Sequence, residues 1–199
     1  MPSFLGDYTH AAKNREEKFL RAINSVRTQS YDNKLLVVVS DGCLDTVRLC
    51  NELKLSGGYG FLHLLEMDKQ PYMSGSVRET GKRFAIAEGA ELITYLDSDD
   101  YLLKNHLENI NNAFFLNPRC AWIWYDDLLR FGYQRRHVRL ERSKIGTSNI
   151  SHRSGCEVIW GDGYGHDWDV IRQLISRSKG HQAAFASYVV CHIPGRFDL

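Results

Sequence analysis

The sequence predicts an α/β domain, a mixed and mostly parallel central sheet with helices on both faces. Three observations predict it. Short apolar runs alternate with amphipathic helical segments over the first two-thirds of the chain, the pattern of a β-α-β-α sheet. Carboxylates follow two of those runs directly, at the carboxyl ends of strands where ligands of open α/β sheets bind. No low-complexity tract or internal repeat divides the 199 residues, so they are expected to form one domain, 1–199.

The elements follow in order. Asn14 with Glu17 three residues on has the form of a helix start, and Phe19, Leu20, Ile23 and Val26 then share one helical face. Residues 35–39, LLVVV, are apolar on both faces, as a central parallel strand would be, and Asp41-Gly42 ends them. A second helix over 46–53 is expected to bury Val47, Cys50 and Leu53, and FLHLL at 61–65 reads as the next strand. Ser76 with Glu79 repeats the capping signature and opens a helix to about residue 88. Residues 92–96 form a strand, and the acidic cluster DSDD follows it without a break. Leu103, Leu107, Ile110 and Phe114 mark a further helix.

Beyond Cys120 the pattern loosens. AWIWYD at 121–126 reads as a strand with Trp122 and Trp124 on one core-facing side, and RHVRL at 136–140 as an exposed strand. The stretch 141–166 is rich in Gly, Ser and His and reads as a long functional loop. A helix over 168–178 and a strand over 187–191 close the chain.

Composition narrows the function. Lys and Arg number 25 against 24 Asp and Glu, a net charge of +1, so no basic stripe marks a nucleic-acid partner. The LLVVV run is far shorter than the ~20 residues of a membrane span, and the opening MPSFLGDY has no secretory pattern, which together point to the cytoplasm. Five cysteines without a C-x-x-C pair read as free thiols.

The chemistry concentrates in carboxylates. Asp97, Asp99 and Asp100 crowd three negative charges into four residues, which repel unless a cation or protons share them. Oxygen ligands suit Mg²⁺ or Mn²⁺, with substrate phosphates completing the shell. The plainer alternative is a solvated acidic turn at the start of the next helix.

Three stretches carry a family resemblance. VVVSDGCLDT resembles the second-strand motif of family-2 glycosyltransferases, ELITYLDSDDYLLKNHLE resembles their metal-binding strand and following helix, and NREEKFLRAINSVRTQSYDNKLLVVVSDG matches their first helix and second strand. The similarity runs from about residue 13 to 110 and reappears at GYGHDWDVI, which is similar to the family's acidic acceptor motif. The resemblance implies a GT-A fold, a Rossmann-like αβα sandwich, with residues 1–120 binding the nucleotide sugar and 121–199 the acceptor. It also implies an inverting, metal-dependent transfer of a sugar from a nucleoside diphosphate, UDP being the family's commonest, to a hydroxyl of a glycan or other acceptor.

Residue roles follow from the same resemblance. Pro2-Ser3-Phe4 resembles a segment that lines the nucleoside pocket, so Ser3 and Phe4 become donor-binding candidates. Asp41 falls where the base-reading carboxylate sits, Asp97 and Ser98 where the ribose is reached, and Asp99 where the Mn²⁺ or Mg²⁺ is bound. Arg78 resembles the nucleotide-holding arginine; the longer spacing to Gly89 leaves Lys82 and Arg83 as alternatives. Asp167 matches the general base, and a helix N-cap is its plainer reading. His166 stands where the family usually has Glu, beside the base or toward the acceptor, and His192 could complete the metal shell or serve structurally. His152 and Trp168 are the remaining acceptor-side candidates, Trp168 as a platform for a sugar ring.

Two other functions compete. A sugar nucleotidyltransferase would carry a Gly-rich loop with a nearby cation after its first strand, where this chain has only Gly6. A non-catalytic nucleotide- or sugar-binding module would have no use for a base such as Asp167.

Overall fold

The computed structural model describes residues 1–71, 75–129, 133–163, 165–193 and 196–198; Tyr164, within the acceptor motif, lies outside them. The first half is built on three parallel strands, β1 (Pro2–Ser3), β2 (Leu36–Asp41) and β3 (Leu62–Met67), in the order β1-β2-β3. Leu36 to Val39 of β2 are all buried, which accounts for an apolar run where a one-sided strand would alternate. Helices α1 (Arg15–Arg27) and α2 (Leu44–Ser56) cover one face, where Phe19, Ile23, Val26, Leu49 and Cys50 pack with Val38 and Leu62. Helix α3 (Ser76–Ala87) covers the other through Val77 on Val37 and Val39.

The second half comprises β4 (Leu92–Thr94), β5 (Tyr101–Leu102), α4 (His106–Leu116), β6 (Trp122–Leu129) and β7 (Gln134–Arg136). A 3₁₀ turn (Thr147–Asn149), β8 (Ile150–Arg153), α5 (His166–Arg177), β9 (Gly180–Val190), β10 (His192–Ile193) and β11 (Phe197–Asp198) follow. Its strands run β4-β8-β6-β9-β5 with β7 beside β6; β6 and β9 are parallel and the other ladders antiparallel. The result is a mixed α/β fold whose parallel pairing is concentrated in the first half.

The N-terminal segment adds a short parallel strand to β2: Pro2 lies opposite Val39 and Ser3 opposite Ser40. At two residues β1 is too short to bridge to the other half. Among the described residues no strand links it to β4, and a cavity of about 370 Å³ lined by Pro2, Val37, Arg78, Ile93 and Tyr95 occupies the interval.

Several expectations are corrected. Asn14 takes a left-handed conformation (φ 50°) and makes no side-chain cap. Gly75, not Ser76, caps α3, because Glu79 is turned to Lys82, Arg83 and the Trp160 backbone N–H. Thr46 and Leu49, rather than Val47 and Leu53, are the buried neighbours of Cys50 on α2. The 136–140 strand ends at Arg136, and β9 begins at Gly180, well before 187. The stretch 141–166 is not one loop: it holds the 3₁₀ turn and β8, which lies between β4 and β6 with Ile150, Ser151 and His152 buried. All five cysteines are free, and Trp122 and Trp124 pack together at 5.1 Å, Trp122 fully in the core.

Candidate active site

The acidic turn sits between β4 and β5, and its backbone is tied down from three sides. The Asp97 N–H donates to the Tyr188 hydroxyl (3.0 Å), which in turn donates to Asp100 (2.9 Å). Asp100 also accepts the Cys191 N–H (2.7 Å), so it is a buried structural carboxylate, its pKa pushed well up by burial and by the charges of Asp99 and Asp97. Arg21 donates to the Asp99 carbonyl (3.0 Å). The Asp99 carboxyl also titrates high, first through burial and then through Asp97. Ser98 is half-buried between the two aspartates.

Arg78 projects from the first turn of α3 to Asp97, 2.5 Å from Nη2 to Oδ1. Its Nη1 is buried without a hydrogen bond among the described residues, and its guanidinium lies 5.2 Å from the Trp160 ring. Lys82 and Arg83 do not compete for this place. Lys82 is bound to Glu79 and the Val158 carbonyl, and Arg83 points outward to Glu79.

Asp167 stands at the N-terminus of α5, where the helix dipole favours a carboxylate. Burial would raise its pKa, but the His166 imidazole (3.3 Å), the Arg78 charge and the Thr147 hydroxyl (3.1 Å) outweigh it and hold the group below the usual aspartate range. It is therefore ionised at neutral pH, as a proton acceptor must be. It is not a plain N-cap, since Gly165 occupies that position. His166 is itself packed edge-on to Trp160 at 5.4 Å, and Trp168 lies partly buried against the second core cluster.

The other candidates are placed differently. Ser3 is 2% exposed and its hydroxyl meets Thr46 (2.9 Å), so its side chain supports β1 from within the core. Phe4 lies beside it under the Lys69 ammonium, 3.7 Å from the ring centroid. Asp41 accepts from Lys69 Nζ and from the Gln70 N–H, both at 2.6 Å. Gly42, at φ 62°, turns the chain where a Cβ would lie 2.7 Å from the Lys69 nitrogen, which brings the 69–70 segment onto Asp41. His152 is a correction: fully buried in β8, it donates from Nδ1 to the Arg153 carbonyl and accepts from Tyr95 (both 2.8 Å), and burial pushes it down to about 4. It faces the core, not an acceptor.

His192 donates from Nε2 to the His10 carbonyl (3.1 Å), leaving a buried Nδ1 without a hydrogen bond, 3.2 Å from Asp198. Among the described residues no three acidic, histidine or cysteine side chains converge so as to hold a metal unaided. The donor chemistry still fits a divalent cation that takes one carboxylate and substrate phosphates, for two reasons. Asp97 and Asp99 crowd negative charge, and His192 offers an unsatisfied nitrogen.

Sequence patterns did not single out Trp160 or Thr147, and marked Glu79 only as a capping residue. Trp160 sits between Arg78 and His166 and reaches Tyr95 at 3.4 Å; Glu79 fixes its backbone. Tryptophan beside a glycine-rich run was the one available signal.

The chain is thus a mixed α/β domain with an acidic turn after a strand and a carboxylate at a helix start. The chain belongs to glycosyl transferase family 2, whose model matches residues 11–164. It is similar in fold to the S. aureus TarS 1–349 structure, with TM-score 0.69 and 13% identity over 95% of this chain and 58% of that one. The same protein in complex with UDP-GlcNAc matches with TM-score 0.69 and 14% identity over 93% of this chain and 58% of that one, and in complex with UDP with TM-score 0.67 over 90% and 58%. The chain thus spans a little over half the length of these structures. No curated protein matches it. No helix among the described residues is long and apolar enough to cross a membrane.

Proposed function

We propose that the chain is an inverting glycosyltransferase that moves a sugar from a nucleoside diphosphate, UDP in the first instance, to an acceptor hydroxyl. The observation that carries this reading is Arg78, which touches Asp97 on the donor side and whose charge acts on Asp167 on the acceptor side. Arg78 Nη1, without a hydrogen bond among the described residues, is the donor this reading assigns to a diphosphate oxygen. Family membership also separates this reading from a nucleotidyltransferase.

Asp41 and Phe4 would border the nucleobase, the exposed Lys69 giving way as the base enters, and Asp97 with Ser98 would meet the ribose. Asp99 would hold Mn²⁺ or Mg²⁺, joined by His192 if its ring leaves Asp198. A divalent ion supplies charge stabilisation for the departing diphosphate. Asp167 takes the proton of the acceptor hydroxyl as the acceptor oxygen bonds to the anomeric carbon and the bond to the diphosphate breaks. Arg78 stabilises the negative charge that develops on the leaving phosphate. Attack opposite the leaving group inverts the anomeric centre.

The test is transfer from UDP-GlcNAc and other UDP-sugars by wild type and Asp167→Asn. The variant is expected to bind UDP normally and to lose turnover by about 10²–10⁴-fold. Full turnover in the variant would remove Asp167 as base.

A further inference from the structure

We propose that Thr147 is the positioning residue for the Asp167 carboxylate, anchoring Oδ1 so that Oδ2 is presented to the acceptor hydroxyl. The inference rests on the reading of Asp167 as base and assigns to the 146–149 turn a function that no sequence motif marks.

The turn is buried and polar, a combination that needs a reason. Thr147 is 1% exposed and Asn149 is fully buried. Asn149 is satisfied on every side: Nδ2 donates to Asp127 Oδ2 (2.9 Å), Oδ1 accepts the Gly146 N–H (3.2 Å), and its own N–H donates to the Gly146 carbonyl (3.1 Å). Asp127 lies at 0% exposure on β6, and Arg136 of β7 neutralises it through paired hydrogen bonds, the Nε–Oδ1 contact at 2.9 Å. A buried charge so paired is costly to disturb, which pins the turn to the sheet.

From that fixed turn the Thr147 hydroxyl donates to Asp167 Oδ1 (3.1 Å). His166 addresses the same oxygen at 3.3 Å, and Oδ2 makes no hydrogen bond among the described residues. A carboxyl on a half-exposed side chain would otherwise rotate freely about its last bond. Held by one oxygen, it offers the other in a single orientation, the condition for proton transfer within reach of a bound hydroxyl. The charged groups facing Asp167 are His166 on its own helix and Arg78 from α3; Thr147 adds a neutral donor that favours the ionised form.

The experiment follows the Asp167 carboxyl by ¹³C NMR through a pH titration in wild type, Thr147→Val and Thr147→Ser. The titration midpoint is expected to rise by roughly one unit in Thr147→Val and to return in Thr147→Ser, since only the hydroxyl is common to wild type and Ser. Turnover of UDP-GlcNAc should fall about 10- to 100-fold in Thr147→Val with KM for the donor within about twofold. If Thr147→Val does not fold, Thr147→Ala makes the same comparison. An unmoved midpoint overturns the inference. So does full turnover in Thr147→Val beside an inactive Asp167→Asn, a result that leaves the base in place. Full turnover in Asp167→Asn removes the base reading itself, whatever Thr147 does to the midpoint.

Discussion

Asp167 and Asp169 stand two residues apart on α5, about 200° around the helix, and meet different surroundings. Asp167 faces His166 and Thr147, whereas Asp169 is half-exposed and paired with Arg172 at 2.6 Å. Asp169→Asn is therefore expected to keep transfer activity within about twofold, against the large loss at Asp167. A steady-state assay of both variants checks this; the reverse pattern would shift the acceptor motif by two residues. His152 supplies a second test at this scale. Burial lowers its pKa to about 4 from an ordinary value near 6.5, so the unfolded chain binds the extra proton between those limits. The stability tied to this histidine is fully present above pH ~6.5 and is lost as pH falls toward 4. Relative to His152→Gln, wild type should lose up to about 1.4 kcal/mol per pH unit across that window, measured by denaturant unfolding. Parallel curves would contradict the buried neutral state. The donor-side aspartates were legible because crowded charges at a strand end carry their own chemistry. The burial of His152 and Ser3 was not, because it depends on strand pairings distant in sequence.

At the scale of elements, α3 carries the segment 158–162 along its length. Gly75 N–H bonds Asp162 (3.0 Å), Arg78 lies over Trp160, Glu79 accepts the Trp160 N–H (3.2 Å), and Lys82 meets the Val158 carbonyl. The contact is close enough that a Cβ on Gly75 would stand 2.1 Å from the Gly161 carbonyl oxygen. Gly75→Ala is thus expected to cost about 1–3 kcal/mol, while Gly155→Ala, with open space around it, should be near neutral. Denaturation midpoints of the two variants check the difference. Periodicity located the five main helices to within a few residues, since each buries one apolar stripe. It missed β8 because Ser151 and His152 are polar residues satisfied by Tyr125 and Tyr95, partners no local pattern reveals. The capping signatures at Asn14 and Ser76 failed for a related reason. Tertiary contacts claimed Glu79, and the chain entered α1 through a left-handed residue.

Across the whole molecule, the parallel half brings Asp41 to its carboxyl edge, and the mixed half carries the acidic turn, Asp167 and the 146–149 turn. Arg78 and Trp160 join them. The first half was readable because its carboxylates directly follow its strands in sequence. The second half was readable only at GYGHDWDVI, because the 3₁₀ turn with Thr147 and Asn149 meets Asp127 of β6 and Asp167 of α5 from distant parts of the chain. A nucleoside diphosphate and a divalent metal are expected to bind jointly, the metal through Asp99. Thermal unfolding of wild type and Asp99→Ala, with UDP and Mn²⁺ separately and together, tests this most directly. Wild type should be stabilised by the pair well beyond either component alone, by about 2.7 kcal/mol at a hundredfold excess over Kd, and Asp99→Ala should fold normally yet lose the joint effect. Stabilisation by UDP and Mn²⁺ that is absent in wild type, or unchanged in Asp99→Ala, would contradict the account.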